Sequence, residues 1–432
     1  MSDLLPIFQQ AYKDLDLFPL IEPSVIDSFR VDYGQDVSAR LRAEVEASAT
    51  DGKVVFTGHR GCGKSTLLKK FAVEMSRRKH FVVFFSIADM IEISDVNHIN
   101  ILYSIALMML HKATKLKIKI PPATQQILLN WFTQTHTKIA ERVKTEGLGL
   151  ESKLFNILTA ELKTESTFRD EIKHSYERRV SELVEKANQI AGFIKADTNK
   201  EILVIIDDLD KLDLSLAEKI YKENIKSLFS PSFRIIFTMP ISASRDPVLV
   251  GILQSEGINR VQQFAVAKFF SWEDARNPNA IPNAAKVAVF LKMLEKRIPS
   301  ELIEPDIAQE IVLKSGGVVR ELVRIGRECC TECIVILDSE PDRSDVKINQ
   351  EILNVALRNL RNDFARPLSG DHYETLKSTY EMPLKPPSAG TKDFLDLLHG
   401  LYILEYLNDD LWYDLHPIVL DLLRRKQVLY SH

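Results

Sequence analysis

The sequence feature that most constrains this chain is a glycine-rich segment, GHRGCGKS, at residues 58–65. An apolar run, Val54–Thr57, comes before it, and a stretch with the apolar spacing of an amphipathic helix follows it. Glycine lets the backbone curl so that successive N–H groups point inward, and the following helix directs its positive end at the same place. A strand, this loop and a helix in that order predict an anion-binding turn at the edge of a parallel α/β sheet.

The spacing of the segment is G-x-x-x-x-G-K-[ST], in which the bound anion is the phosphate chain of a nucleotide. We expect Lys64 to reach the β- and γ-phosphates and the Ser65 hydroxyl to ligate magnesium. Because Gly makes up ~7% of residues, a chance match in a chain this long has odds on the order of 1–2%. The predicted nucleotide-binding residues of the loop are Gly58, His59, Arg60, Gly61, Cys62, Gly63, Lys64, Ser65 and Thr66.

A second motif, ILVIIDDLDKL, places carboxylates directly after an apolar strand-like run, Ile202–Ile206. Asp207 and Asp208 would then lie at the carboxyl edge of the sheet, where ligands bind in open α/β folds. We expect Asp207 to hold magnesium through water and Asp208 to orient or deprotonate the attacking water. The alternative is a solvated acidic turn without a ligand.

The remaining strand-like runs are Phe81–Ser86, Arg234–Thr238 and, more weakly, Val261–Ala265. Phe81–Ser86 has almost no polar interruption, which is typical of a strand buried on both faces of a parallel sheet. Residues 97–200 are mainly helical in pattern. Strands separated by helices predict an α/β fold with a doubly wound sheet.

The carboxyl-terminal segment has a pattern of its own. A helix-like stretch, Phe394–Leu398, precedes two short strand-like runs, Tyr402–Leu407 and Leu411–Leu415. Helices followed by such a hairpin predict a winged helix.

Composition argues against some classes of partner. The net charge of -4 and the pI of about 6.2 argue against bulk electrostatic binding to nucleic acid. The longest apolar runs are strand-sized, so we expect no membrane span and no signal peptide. Four cysteines do not make a disulfide framework. These features predict a cytoplasmic protein.

The order of elements and the sequence DDLD at 207–210 resemble the ASCE division of P-loop ATPases. Within that division the chain is similar to the STAND signalling ATPases, which include the NACHT and KAP groups and are relatives of AAA+ proteins. The resemblance covers about residues 30–425, and its two specific motifs are the nucleotide motifs. It implies a sheet of order 5-1-4-3-2, ATP or ADP with Mg²⁺ as cofactors, a helical lid and a winged-helix domain.

Pattern and resemblance together predict four regions along the chain. These are an N-terminal helical segment at 1–50, a P-loop ATPase core at 51–275 with a helical insertion at about 97–200, a helical lid at 276–365, and a winged-helix-like domain at 366–432.

The resemblance suggests roles for three further residues. Thr238 ends the fourth strand, where the superfamily has a polar sensor, although Met239 follows here instead of arginine. Arg320 resembles the second sensor of AAA+ lids, and His416 resembles the winged-helix histidine that touches the ADP phosphates in STAND proteins. The alternatives are a core threonine, a salt bridge on the lid surface and a packed structural histidine.

Several other residues could carry chemistry. Arg234 and Arg245 could each act in trans on a neighbour's phosphate, with surface arginine as the alternative. Cys329, Cys330 and Cys333 lie in a helical pattern, which favours packing over a metal site. Cys62 is interpreted as a small loop residue, with an oxidation-prone exposed thiol as the alternative. Two basic runs are interpreted as solvated faces, with contact to nucleic acid as the alternative. They comprise Lys112, Lys115, Lys117 and Lys119, and Arg424, Arg425 and Lys426.

These observations predict a magnesium-dependent ATPase that works as a molecular switch, with Lys64, Asp208, Thr238 and Arg320 as catalytic residues. The resemblance points to signalling in bacterial stress or phage defence. We also expect a homo-oligomer and a separate effector or sensor protein, with residues 97–200 as the candidate docking surface. Two alternatives stay open: an oligomeric AAA+-type ATPase that acts on DNA, and a scaffold that binds nucleotide without turnover.

Overall fold

The structure is a computed structural model, and it describes residues 4–20, 22–133, 137–150, 152–277, 279–407 and 410–429. The chain folds into two compact units. The helical unit consists of Met1–Gln35, Gly58–Thr66 and Phe264–His432, and the sheet unit consists of Asp36–Thr57 and Leu67–Gln263. The domain boundaries predicted from the sequence stay a prediction.

A five-stranded sheet has the order β2-β3-β4-β1-β5, which is the predicted order 5-1-4-3-2 read from the other edge. Its neighbouring strands β2 and β3, β3 and β4, and β4 and β1 are parallel. The predicted α/β fold and the predicted strands are confirmed. The strands are β1 (Lys53–Gly58), β2 (His80–Ser86), β3 (Glu201–Asp207), β4 (Arg234–Met239) and β5 (Gln262–Phe264).

Strands β3 and β4 are buried almost along their whole length. Such strands read as continuous apolar runs because helices cover both faces of a parallel sheet. The register places Ser86 of β2 opposite Asp207 of β3, and Phe56 of β1 opposite Thr238 of β4. The polar residues that end β2, β3 and β4 therefore lie at one edge of the sheet.

The helices before residue 256 include the long helical region predicted for 97–200, which is helical in the structure. One of them, α6, buries most of its residues, and its Tyr103 donates to the carbonyl of Phe132. The helices are α1 (Leu4–Asp14), α2 (Pro23–Phe29), α3 (Gln35–Ala47), α4 (Lys64–Ser76), α5 (Ile87–Met90), α6 (His98–Lys115), α7 (Pro122–Thr133), α8 (Thr137–Glu146), α9 (Ser152–Thr164), α10 (Ser166–Tyr176), α11 (Val180–Thr198), α12 (Leu214–Glu218), α13 (Ile225–Phe229) and α14 (Pro247–Ser255).

After β5, the described residues form a further set of helices and an antiparallel hairpin of β6 (Ile403–Leu407) and β7 (Leu411–Leu415). The hairpin confirms the two predicted strands, and the winged helix itself stays a prediction. No helix among the described residues combines the length and apolar surface that a bilayer span requires. The helices are α15 (Ala284–Glu295), α16 (Pro305–Lys314), α17 (Val319–Ser339), α18 (Gln350–Ala365), α19 (Gly370–Glu381), α20 (Lys392–His399) and α21 (Pro417–Arg425).

The three clustered cysteines lie inside α17 and are buried, as the packing interpretation predicted. Burial raises the pKa of Cys329 and Cys330, and it raises the pKa of Cys333 to about 12. The thiols therefore stay protonated and act as small apolar side chains.

A glycine turn before α17 allows a close backbone approach inside the helical unit. Gly317 has a φ of +81°, and a Cβ atom at this position would lie 1.7 Å from the carbonyl oxygen of Ala267. The amide of Ala267 donates back to the carbonyl of Gly317 at 3.3 Å. Only glycine fits both the dihedral angle and the contact.

We expect Gly317→Ala to destabilise the protein by about 2 kcal/mol or more, because alanine is strained at this φ and its Cβ clashes with backbone. Urea unfolding of the full chain measures the effect. Gly370→Ala is the matched control, since a Cβ at Gly370 meets nothing within 4 Å. Equal unfolding midpoints for the two variants would contradict this reading of the turn.

Candidate functional site

The glycine-rich segment Gly58–Ser65, here called the phosphate loop, curls back on itself between β1 and α4. Gly61 has a φ of +78°, in the region that favours glycine. A Cβ at Gly61 would lie 2.4 Å from the Cβ of Arg320. The loop therefore requires glycine here both for its own dihedral angle and for the approach of α17.

Lys64 directs its ammonium group into the curl of the phosphate loop. Its Nζ donates to the carbonyl oxygens of Gly58 and His59, each at 2.8 Å, and the residue is 4% exposed. These bonds to a cation are stronger than neutral ones and fix the ammonium beside the loop backbone. A contact between this ammonium and a phosphate chain stays a prediction.

His59 links the phosphate loop to the carboxyl-terminal hairpin. Its Nε2 accepts a hydrogen bond of 2.8 Å from the backbone N–H of Glu405 in β6, and the ring is 1% exposed. A ring nitrogen that accepts carries no proton, so the imidazole is neutral in this arrangement. Sequence reasoning placed His59 in the loop but did not foresee this bond, because no local pattern connects residues 59 and 405.

Arg320 also meets the phosphate loop, through its backbone. Its N–H donates to the carbonyl of Gly61 at 2.9 Å. The residue lies in the first turn of α17, where N–H groups have no partner within the helix. The loop carbonyl supplies one, which brings the predicted sensor residue to the loop. A contact between its guanidinium and a nucleotide stays a prediction.

Cys62 is fully buried in the phosphate loop. Its thiol donates to the carbonyl of Phe264, with 3.8 Å between sulfur and oxygen. The alternative of an exposed, oxidation-prone thiol is therefore wrong, because no solvent reaches the sulfur. Cys62 is a packed loop residue.

In the sheet unit, the turn after β3 gathers three carboxylates. One carboxylate oxygen each of Asp207, Asp208 and Asp210 lies within 4.8 Å of the others, and all three residues are buried or nearly so. Asp208 has a φ of +68°, an uncommon conformation for a non-glycine residue. Clustered carboxylate oxygens are the ligands that Mg²⁺ prefers, so the donor set fits such an ion.

Both oxygens of the Asp208 carboxylate have partners. The Ser86 hydroxyl donates to Oδ2 at 2.6 Å, and Lys211 Nζ lies 2.9 Å from Oδ1. Sequence analysis missed both residues. The signal for Ser86 was available, because it ends the strand next to β3 and parallel strands end at one edge.

Thr238 is fully buried and braces the acidic turn. Its hydroxyl accepts from the N–H of Leu209 at 3.0 Å and donates to the carbonyl of Ile206 at 3.1 Å. Its own carbonyl accepts from the Tyr221 hydroxyl at 2.6 Å. Burial, with Asp210 nearby, raises the pKa of Tyr221 well above its usual value and keeps that donor protonated. Thr238 holds the residues on either side of Asp207 and Asp208.

His416 lies in the helical unit as a fully buried residue. Its Nδ1 accepts from the N–H of Ile418 at 3.2 Å and so caps α21. Its Nε2 lies 3.8 Å from the carboxylate of Glu321. Burial, reinforced by Arg324, lowers the pKa of His416 to about 3. These contacts give the residue a structural role, and a contact with ADP phosphates stays a prediction.

The two arginines considered for action in trans lie in different places. Arg234 begins β4 and donates to the carbonyl oxygen of Ser48 at 2.9 Å, at the opposite end of the strand from Thr238. Arg245 lies in the turn after β4 and donates to the side chain of Gln263 at 3.0 Å. Of the two arginines, Arg245 is therefore the one at the carboxyl end of the strands, where the acidic turn also lies.

The two basic runs differ in exposure. Lys115, Lys117 and Lys119 are exposed, whereas Lys112 donates to the carbonyl of Val82 and lies over the ring of Phe81. The solvated-face interpretation is wrong for Lys112, because its amine reaches the edge of the sheet. The second run is exposed at all three of its residues, Arg424, Arg425 and Lys426.

Comparison with known families agrees with this geometry. Residues 43–238 match the KAP family P-loop domain. The matched segment is a P-loop NTPase domain, and it is similar to that of the KAP family. It begins before β1 and ends at Thr238, so it includes the phosphate loop and the acidic turn. The P-loop NTPase fold implies nucleotide binding with a divalent metal. No curated protein matched the sequence.

Solved structures with a similar trace include three proteins. Cdc6p from Pyrobaculum aerophilum is 11% identical, with a TM-score of 0.39 over 94% of this chain and 98% of that one. Drosophila ORC bound to DNA is 11% identical, with a TM-score of 0.37 over 96% of this chain and 91% of that one. The Thermotoga maritima RuvB Holliday junction branch migration motor is 12% identical, with a TM-score of 0.35 over 87% of this chain and 92% of that one. These TM-scores are too low for the likeness to carry an argument.

We expect Thr238→Val to lower the stability of the P-loop NTPase domain by about 1–3 kcal/mol, because the buried N–H of Leu209 loses its acceptor. We also expect nucleotide turnover to fall, since the acidic turn is no longer held. Urea unfolding and phosphate release measure the two effects. Thr238→Ser keeps the hydroxyl and serves as the control. A valine variant with wild-type stability and turnover would exclude the bracing role.

Proposed function

We propose that this chain is an ATP-binding and ATP-hydrolysing molecular switch in which the phosphate loop reports its nucleotide to β6 and α17. The P-loop NTPase domain supports the nucleotide part of the proposal. The observation that carries the switch is the pair of bonds from the loop to distant segments: His59 to the amide of Glu405, and Gly61 to the amide of Arg320.

These two bonds couple the conformation of the loop to the positions of β6 and α17. A phosphate chain in the loop needs the inward N–H groups and the ammonium of Lys64, which now bonds to the carbonyls of Gly58 and His59. Moving that ammonium changes the backbone on either side of His59. A ligand that prefers one loop geometry thereby shifts the equilibrium of the hairpin bonded to it.

In the proposed reaction this chain supplies positioning and charge. Lys64 and the loop amides stabilise the negative charge of the phosphates, and Asp208 aligns the attacking water. Ser86 and Lys211 keep the Asp208 carboxylate in place. Ser65 and Asp207 are the proposed holders of Mg²⁺, which when bound supplies positive charge to the phosphate oxygens.

We also propose a homo-oligomer and a separate effector or sensor protein, with 97–200 as the docking region. ATP is proposed over GTP because no base-reading motif of the GTPase kind follows the acidic pair. A role in bacterial stress or phage-defence signalling rests on the resemblance to the STAND group alone.

We expect Lys64→Ala to lose ATP binding, because the phosphate chain loses its main cationic contact. Equilibrium binding of a fluorescent ATP analogue with Mg²⁺ measures this. Lys70→Ala, an exposed lysine on the same helix, is the control. In the same assay Asp208→Asn should keep ATP while phosphate release stops. Unchanged ATP affinity in Lys64→Ala would remove the loop from the site, and wild-type turnover in Asp208→Asn would show that this carboxylate is not needed.

We expect His59→Ala to bind ATP but to uncouple the nucleotide from the hairpin. Hydrogen exchange of peptides covering β6 should differ between ADP and a non-hydrolysable ATP analogue in the wild type, and the difference should vanish in the variant. Thermal unfolding of both proteins checks that the fold is intact. If the nucleotide-dependent difference at β6 survives in His59→Ala, the signal does not travel through this bond.

A further inference from the structure

The helical unit contains a cavity of about 590 Å³ between α16, α18 and α21. It lies away from the phosphate loop in sequence, and no residue of the loop lines it. The cavity opens to solvent, and its lining includes four basic side chains, Lys314, Arg358, Arg361 and Arg425, of which Arg358 and Arg425 are exposed. Basic side chains that meet at one opening form a candidate site for an anion.

Arg361 is the residue that the fold does not satisfy. It is 9% exposed and lines the cavity. Among the described residues its guanidinium makes no hydrogen bond and no ion pair within 4.0 Å. A guanidinium has five N–H donors, and those of Arg361 are left without a protein partner at the opening of the cavity. The free donors of Arg361 face the cavity that it lines.

Two more arginines line the same cavity: Arg358, on the preceding turn of α18, and Arg425, near the end of α21. Burial lowers the pKa of Arg361, and Arg425 and Arg358 lower it further, which shows that the three cations lie close enough to repel one another. Asp421 opposes them only in part, because its carboxylate is bonded to Lys314 Nζ at 2.7 Å.

We propose that this cavity is a binding site for a phosphate group, held by Arg358, Arg361 and Arg425. A phosphate dianion offers several oxygens and matches three guanidinium groups better than a single carboxylate does. The volume is in the range of small-molecule sites, so it has room for a phosphate carried on an organic group. Glu310 and Glu351 also line the cavity and suit a cationic group on such a molecule.

No residue of the phosphate loop lines this cavity, so the test must exclude phosphate binding at the loop. Isothermal titration is therefore done in the full-length Lys64→Ala variant, with inorganic phosphate and with phosphoethanolamine as probes. We expect saturable binding of at least one probe. Tighter binding of phosphoethanolamine assigns the site to a phosphate on an organic cation, and equal binding assigns it to free phosphate. Absence of saturable binding for both probes overturns the proposal.

Three variants in the same background locate the binding. Arg361→Met and Arg425→Gln should each weaken it by about tenfold or more, since each removes hydrogen bonds to a charged group. Arg424→Gln, the exposed neighbour on α21, should leave it unchanged. Binding that survives in both Arg361→Met and Arg425→Gln overturns the proposal.

Thermal unfolding without phosphate separates a ligand-binding role of Arg361 from a structural one. Arg361 repels Arg358 and Arg425, and methionine removes that repulsion, so Arg361→Met should keep or raise the melting temperature of the free protein. Added phosphate should raise the melting temperature of the Lys64→Ala protein but not that of its Arg361→Met derivative. A lower melting temperature in Arg361→Met together with an unchanged phosphate effect marks a structural arginine and overturns the proposal.

Discussion

The backbone of the phosphate loop is the constraint on which the candidate site depends. The carbonyls of Gly58 and His59 hold the ammonium of Lys64, and the carbonyl of Gly61 accepts from the first turn of α17. Because the loop curls through glycine conformations, its polar groups point to partners on several sides at once. In the proposed switch, the same short segment meets a phosphate chain and reports that contact to other parts of its unit.

The acidic turn after β3 is held in its conformation by side chains from other parts of the sheet unit. Asp208 adopts a left-handed conformation that costs about 1 kcal/mol or more, and such strain persists only where the surroundings over-determine it. Thr238 braces the backbone of the turn, while Ser86 and Lys211 hold its carboxylate. Ser86 and Thr238 come from β2 and β4, the two neighbours of β3, so the sheet register sets much of the geometry of the acids.

Local pattern predicted much of the fold. The strands were visible because parallel strands covered on both faces must be apolar, and the motif at 58–65 was visible because a tight curl needs glycine at fixed spacing. For His416, local sequence did not reveal the contacts that the residue makes. Its resemblance to a phosphate-touching histidine is a matter of sequence position, whereas burial and the Ile418 amide give it a structural role in the fold.

The sequence by itself determined the positions of the strands along the chain, the glycines of the loop and the carboxylates after β3, because each follows from the periodicity or the dihedral needs of adjacent residues. The order of the strands in the sheet was implied by the family resemblance and is confirmed by the structure. Only the tertiary structure decided which side chains complete these features. The bond from His59 to Glu405, the bracing by Thr238 and the three arginines around one cavity join residues from separate segments. Such contacts depend on how helices and strands pack, and no local sequence pattern encodes which distant residues will meet.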